Sequence, residues 1–544
     1  MKPSLIWVLV LAIIFFFPFL GAVHLFDWDE INFAEAAREM LVTGNYSRVQ
    51  IDYQVFTEKP PLFFWMQALS MKIFGINEFA ARFPNAVCGV CTLATLFLIG
   101  SKLKDAKFGF LWALSYLGSF LPHLYFKSGI IDPFFNLFIF LAVYFIFQTL
   151  EKYKRTGAGV SAMLAGSFIG LAILTKGPVG LLIPLLVIAV YWFSVRKSIV
   201  SFSHLLLCAL FALLVALLWF GVETYKYGFV FIEEFTQRQL EIFSTSDAGH
   251  GQPWYYHPIV LFLGCFPIAQ LALRSFIYRQ NTDKSLIEFR KMMLLLFWVT
   301  LILFSIVKTK IVHYSSLCYF PISFLASYHL YYVLTRKINL NRITLILLAV
   351  FGILFALLLT AVPLVGMNTA KITPYIDDTF AVANLQAKVV WTGFEMLIGF
   401  FYLTAVIFSV VFFSRKRLKL AINTLFFSTA LCMLVYTRVV VPNIELYSQA
   451  AAIRFFKSLA GKDVYVNTLD YKSYAHLYYF KKPPVSNPKS YDQNWLLTGN
   501  IDKDAYFVGK IQDIDKHYKL YPQLQKIGEE NGFVFYKRAV SLTK

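Results

Sequence analysis

The chain has 544 residues, 58% hydrophobic and 18% aromatic but only 15% charged, with a mean hydropathy of +0.61. A water-soluble globular protein could not bury that much apolar surface, so that class is excluded. The formal charge of +19 would suit a nucleic-acid binder, but the basic residues sit in short clusters between apolar runs, which excludes nucleic acid and points to a bilayer as the partner.

In chain order, the first apolar run, 5–24, follows Lys2 and lacks a small-residue cleavage site, so it reads as a retained helix rather than a signal peptide. Further runs near 84–101, 108–124, 133–150, 160–176, 178–195, 203–221, 257–273, 292–307, 315–334, 343–364, 390–413 and 420–440 bring the expectation to about thirteen spans of a polytopic, mainly α protein. Clusters such as Lys102/Lys104/Lys107, Lys152/Lys154/Arg155 and Arg415/Lys416/Arg417/Lys419 occupy every second loop, which assigns those loops to the cytoplasm. An odd span count then puts the remaining loops and the tail on the opposite face.

Those outer loops carry the unusual residues. In the first, 25–83, Ile31–Val42 reads as an amphipathic helix along the membrane surface, ended by Gly44-Asn45. Pro61–Phe74 reads as a second interfacial helix, and Lys176-Gly177-Pro178 as a turn between two runs. After a membrane domain of 1–440, residues 441–544 change character. Apolar β-like runs (Val464–Val466, Ala505–Val508, Phe533–Tyr536) alternate there with helix-like segments (Glu445–Leu459, Tyr474–Tyr479, Gln512–His517), predicting a small α/β domain with no evident catalytic constellation. Cys88 and Cys91 form a CxxC on an apolar run without a second pair, and read as small packing residues.

The chemistry-bearing positions gather on the outer side. Asp29 and Glu30 follow the first span at once, with Trp28 as an interfacial anchor, and Asp132 in Ile130-Ile131-Asp132-Pro133 ends another span on the same face. Acidic groups at a bilayer surface mark substrate or ion sites. Lys59, with Lys308, Lys310 and Tyr314 in Lys308-Thr309-Lys310-Ile311-Val312-His313-Tyr314, forms a cationic complement suited to a phosphate or pyrophosphate headgroup. The stretch from His250 to His257 adds Trp254, Tyr255 and Tyr256, a surface for sugar stacking or metal ligation.

Trp28-Asp29-Glu30 with Phe33-Ala34-Glu35, then Glu58-Lys59-Pro60-Pro61-Leu62 and Ala81-Arg82-Phe83-Pro84, resembles the lipid-linked sugar transferases of the GT-C class, namely the ArnT-like transferases and the protein O-mannosyltransferases of glycosyltransferase family 39. The resemblance implies a GT-C-like membrane domain with interfacial helices and a periplasmic C-terminal domain, multi-pass in a bacterial inner membrane with the active site facing the periplasm. It implies an inverting glycosyltransferase that uses a polyprenyl-phosphate sugar and a lipid acceptor (lipid A or another envelope glycan), or else a protein hydroxyl. Asp29 would be the principal catalytic carboxylate and Asp132 the second acid, with Glu30 beside them. Lys59 and Tyr314, supported by Lys310 and Lys308, would hold the donor phosphate. Glu58 and His250 fall where a divalent metal can sit in such proteins, although no cofactor is required because the activated donor drives the transfer. Two positions depart from the pattern, Asn32 in place of an arginine and Phe56 in place of a tyrosine. From a different class, a lipid-linked sugar transporter or flippase would instead show repeat symmetry and mid-span charges.

Overall fold

The computed structural model describes residues 4–152, 156–195, 201–245, 251–277, 284–336 and 340–540. Apolar runs inside a membrane can satisfy their backbone only within a helix or a closed barrel, and here they are helical. Among the described residues, nine helices are long and apolar enough to cross a bilayer, or ten if the pair Tyr256–Gly264 and Ile268–Ile277, bent by 115°, is one broken span. About thirteen full-length spans are therefore not found. The run 5–24 is helical only over Leu5–Phe16, and 108–124 is divided into Ala106–Leu117 and Phe120–Leu124. At 1.5 Å per residue a twelve-residue helix covers about 18 Å, short of a roughly 30 Å hydrocarbon core.

Small residues set the closest helix approach. Gly166 and Gly170, four apart on the helix Ala158–Lys176, face the helix Phe202–Tyr227, where a Cβ on either would run into the Cys208 carbonyl or Val215. Such small-residue spacing lets backbones close up where no hydrophobic force drives association. That helix ends at Lys176, with Gly177 at φ 86° against the ring of Phe235.

The helix expected along the membrane surface is observed as Asp29–Thr43, but every residue from Glu30 to Met40 is buried. It is a core element rather than a surface one, because its apolar side packs on the helix Leu62–Phe74 while its polar side is covered by the tail. Ile31, Phe33, Phe63 and Phe64 share one hydrophobic cluster with Phe456, Val508 and Phe535 of the tail. Between these two helices, β1 (Gln50–Ile51) and β2 (Gln54–Val55) form a short hairpin.

The tail carries a sheet ordered β3-β4-β6-β5, with β3 Tyr465–Thr468, β4 Ala505–Lys510, β5 Gln525–Glu530 and β6 Phe533–Arg538. The β3–β4 pair is parallel and the others antiparallel. β5 escaped the sequence pattern because it is an edge strand, mostly exposed and polar, without the apolar alternation of a half-buried strand.

Candidate active site

A cavity of about 730 Å³ lies where the first loop, the ends of several long helices and the tail converge. Its acidic wall starts with the first turn of Asp29–Thr43, where an acid is favoured by the helix dipole. Opposite stands Asp132, opening the helix Asp132–Glu151 with Pro133 at its first turn. His313 bridges the two carboxylates, its Nε2 lying 3.4 Å from Asp29 Oδ2 and 3.7 Å from Asp132 Oδ2. Lys176 Nζ sits 2.6 Å from Asp132 Oδ1 and 4.9 Å from the centroid of the Tyr314 ring. Lys59 donates to Glu58 Oε1 at 2.6 Å, and Arg238 of the helix Val230–Ser244 approaches Glu58 Oε2 at 3.3 Å.

Burial pushes the Asp29 carboxyl up, but the His313 hydrogen bond and the charges of His313, Lys59 and Lys176 outweigh it and leave the group below its ordinary value. Glu58 is also lowered, its burial overcome by Lys59 and then Arg238. Both therefore stand as carboxylates at neutral pH.

Glu30 requires a correction. It touches the cavity but is only 3% exposed, and Arg82 donates to both its oxygens at 2.8 Å. The backbone N–H groups of Phe26 and Gly129 fill the remaining lone pairs. Burial alone would raise this acid, and Arg82 holds it down instead. Arg82 in turn donates to the carbonyls of Leu20, Val23 and His24. A carboxylate so fully committed ties the first loop to the bundle and is unavailable for proton transfer.

The residues expected to hold the donor phosphate are only partly brought together. Lys59 and Tyr314 line the cavity, but Lys310 does not. It is buried, with Nζ donating to the Val307 carbonyl at 2.6 Å. Lys308 is exposed outside the cavity. Lys176, expected only as part of a turn, lines the cavity instead. The available signal was a lysine at the end of an apolar run, apart from the basic clusters. His313 stood beside Tyr314 and passed unassigned, and the tail contributes Lys472 and Tyr474 despite its lack of a motif. The Trp28 ring, expected at the bilayer interface, packs on the tail: it meets Tyr474 edge-on at 5.3 Å and lies 4.7 Å from Lys472 Nζ.

The candidate metal ligand His250 lies outside the described residues. Its partner Glu58 is held by two cations, an arrangement that disfavours a divalent ion, and among the described residues no group of three His, Cys, Asp or Glu side chains could hold one. Asn32 is buried outside the cavity with Oδ1 unpartnered among the described residues, and Phe56 faces a neighbouring cavity.

Bundle, capping tail and this cavity together give a multi-helix membrane protein of ArnT-like fold. The fold matches the crystal structure of ArnT from Cupriavidus metallidurans bound to undecaprenyl phosphate, with a TM-score of 0.75 over 99% of this chain and 98% of that one at 16% identity. In sequence, residues 58–220 match the family described as dolichyl-phosphate-mannose-protein mannosyltransferase. The chain is 30% identical, over 60% of its length and 59% of the relative's, to undecaprenyl phosphate-alpha-4-amino-4-deoxy-L-arabinose arabinosyl transferase 1 of Proteus mirabilis. It is 29% identical, over 56% and 55%, to the corresponding transferase of Shewanella sediminis. The chain thus spans somewhat over half the length of these curated relatives. The ArnT-like resemblance read from the sequence is borne out.

Proposed function

We propose that this chain is an inverting glycosyltransferase that moves a sugar from a polyprenyl-phosphate donor to an acceptor at the outer face of a bacterial inner membrane, with a lipid or envelope glycan as acceptor. The observation that carries this is the convergence in one cavity of Asp29 and Asp132, bridged by His313, with Lys59, Lys176 and Tyr314 alongside. The names of the relatives, undecaprenyl-phosphate arabinosyl transferases, support the donor class. The outward orientation is supported by the helix Asp132–Glu151, which begins at the cavity and ends at the basic cluster starting with Lys152.

In this mechanism the donor phosphate sits against Lys59, Lys176 and Tyr314. The acceptor oxygen attacks the anomeric carbon from the opposite side, and the sugar–phosphate bond breaks with its electron pair leaving on the phosphate. The two lysines stabilise that developing charge, help typically worth about 3–4 kcal/mol per group. Asp29 takes the proton of an acceptor hydroxyl, a role typically worth about 10²–10⁴-fold. His313, 3.4 Å from Asp29, holds the carboxylate in place toward the acceptor, and the proton leaves to water from the cavity. If the acceptor is a phosphate, Asp29 orients it instead. The activated donor supplies the driving force, so no cofactor enters any step.

A protein hydroxyl is the second reading, favoured by the description of the family matching residues 58–220. The donor half is tested by native mass spectrometry of the full-length protein with undecaprenyl phosphate. The wild type and Asp29→Asn are expected to bind, and Lys59→Met with Lys176→Met to lose at least about tenfold in affinity. Equal binding by the lysine variants would remove the phosphate site.

A further inference from the structure

A second cavity, of about 630 Å³, lies between the β1–β2 hairpin and the tail segment 467–477, and it shares Lys472 and Tyr474 with the catalytic cavity. The two spaces therefore share part of that segment as a wall. Ligand pockets of about 300–1,000 Å³ are predominantly apolar. This one is instead walled by the amides of Gln54, Asn467 and Gln493 beside the rings of Phe56 and Tyr471.

Its carboxylates are already matched. Asp470 lies 2.8 Å from Lys516 and 2.9 Å from His517, and Asp52 pairs with Lys482. Lys472, which lines both cavities, has its Nζ 4.7 Å from the Trp28 ring and 6.0 Å from the Tyr474 ring. Charge therefore gives an ionic ligand little to hold.

Two of the amides, by contrast, are anchored at one end and open at the other. Asn467 Oδ1 accepts from the Thr468 N–H at 2.8 Å, and Gln493 Nε2 donates to the Thr468 carbonyl at 2.7 Å. Their other ends, Asn467 Nδ2 and Gln493 Oε1, have no protein partner among the described residues, and neither has the Gln54 side chain. Donors and acceptors held in place beside aromatic rings match a ligand rich in hydroxyls.

The opposite wall is rigid. The hairpin tip holds Asp52 and Tyr53 at φ 58° and 59°, a left-handed conformation uncommon for such residues. Tyr53 Oη donates to the Lys482 carbonyl at 2.6 Å and Tyr491 Oη to the Asp52 carbonyl at 3.0 Å, clamping the tip to the tail. Strained backbone persists where its surroundings over-determine it.

We propose that this groove binds the acceptor's extension, a neutral saccharide segment, while the group that receives the sugar lies beside Asp29. The proposal rests on the transferase function, which makes the adjoining cavity the place of reaction. It is tested by binding full-length protein in nanodiscs to an array of neutral and anionic bacterial oligosaccharides. Wild type and Asp29→Asn are expected to retain the same neutral glycans. Gln54→Ala with Gln493→Ala, both exposed positions, is expected to lose about tenfold or more in affinity with an unchanged melting temperature. Retention of no neutral glycan, retention of anionic glycans only, or equal binding by the groove variant would overturn the assignment. Because Asp29→Asn is expected to bind, loss of transfer without loss of binding, or the reverse, separates the fate of the groove from that of the catalytic proposal.

Discussion

Asp29 and Glu30 are adjacent in the first turn of one helix, yet they face two different regions. One residue of helix is more than a quarter of a turn, which sends the two side chains apart. Asp29 enters the cavity, 32% exposed, among cations that each serve more than one carboxylate. Glu30 enters the clamp below it, where one arginine and two backbone N–H groups fill every lone pair. In the proposed mechanism the same chemical group is reactive where pairing is loose and shared, and structural where pairing is complete and dry. Four observations sharpen or break that contrast.

Asp29→Asn should give the largest change, a loss of about 10²–10⁴-fold in sugar transfer, with melting of the purified protein almost unmoved. In the clamp, Arg82→Met leaves Glu30 as an uncompensated buried charge and should cost about 3–5 kcal/mol of stability, seen as a large drop in the detergent melting temperature. Lys176→Met should reduce turnover by about 10²-fold or more without destabilisation of that size. If Arg82→Met melts like the wild type, the division between clamp and cavity fails.

The smallest effect concerns a third carboxylate of the same helix. Burial and the charge of Glu35 push Glu39 up from 4.5 to about 9. In that interval the folded protein holds a proton the unfolded chain releases, so stability must fall as pH rises from 4.5 toward 9. Glu39→Gln removes that slope. Wild type should lose more melting temperature than Glu39→Gln between roughly pH 5 and roughly pH 8, and parallel curves would contradict the burial-driven shift.

Much of this arrangement was legible in the chain. Asp29 and Asp132 border membrane-length runs, where charge is conspicuous against an apolar background, and Glu58 and Lys59 stand in the long first loop just before an apolar helix. Tyr314 was legible through the lysines and phenol of its loop. The distinction between Asp29 and Glu30 was not legible, because it depends on Arg82 and Gly129, which are distant in sequence. Lys176 and His313 were hidden for a related reason: each is a lone polar residue whose partners lie on other helices. The helix Asp29–Thr43 misled because its amphipathic pattern suits a membrane surface as well as an interface with a folded tail. Lys472 and Tyr474 could not be found without knowing that the tail caps the cavity.

The central claim is tested most directly by mass spectrometry of envelope lipids and proteins from a strain lacking the gene, complemented with wild type or with Asp29→Asn. A sugar mass that returns only with wild type is the predicted result, and the molecule carrying it separates a lipid or glycan acceptor from a protein one. Equal restoration by both chains would contradict a catalytic Asp29. A redistributed lipid-linked sugar with no altered glycan would contradict transfer itself.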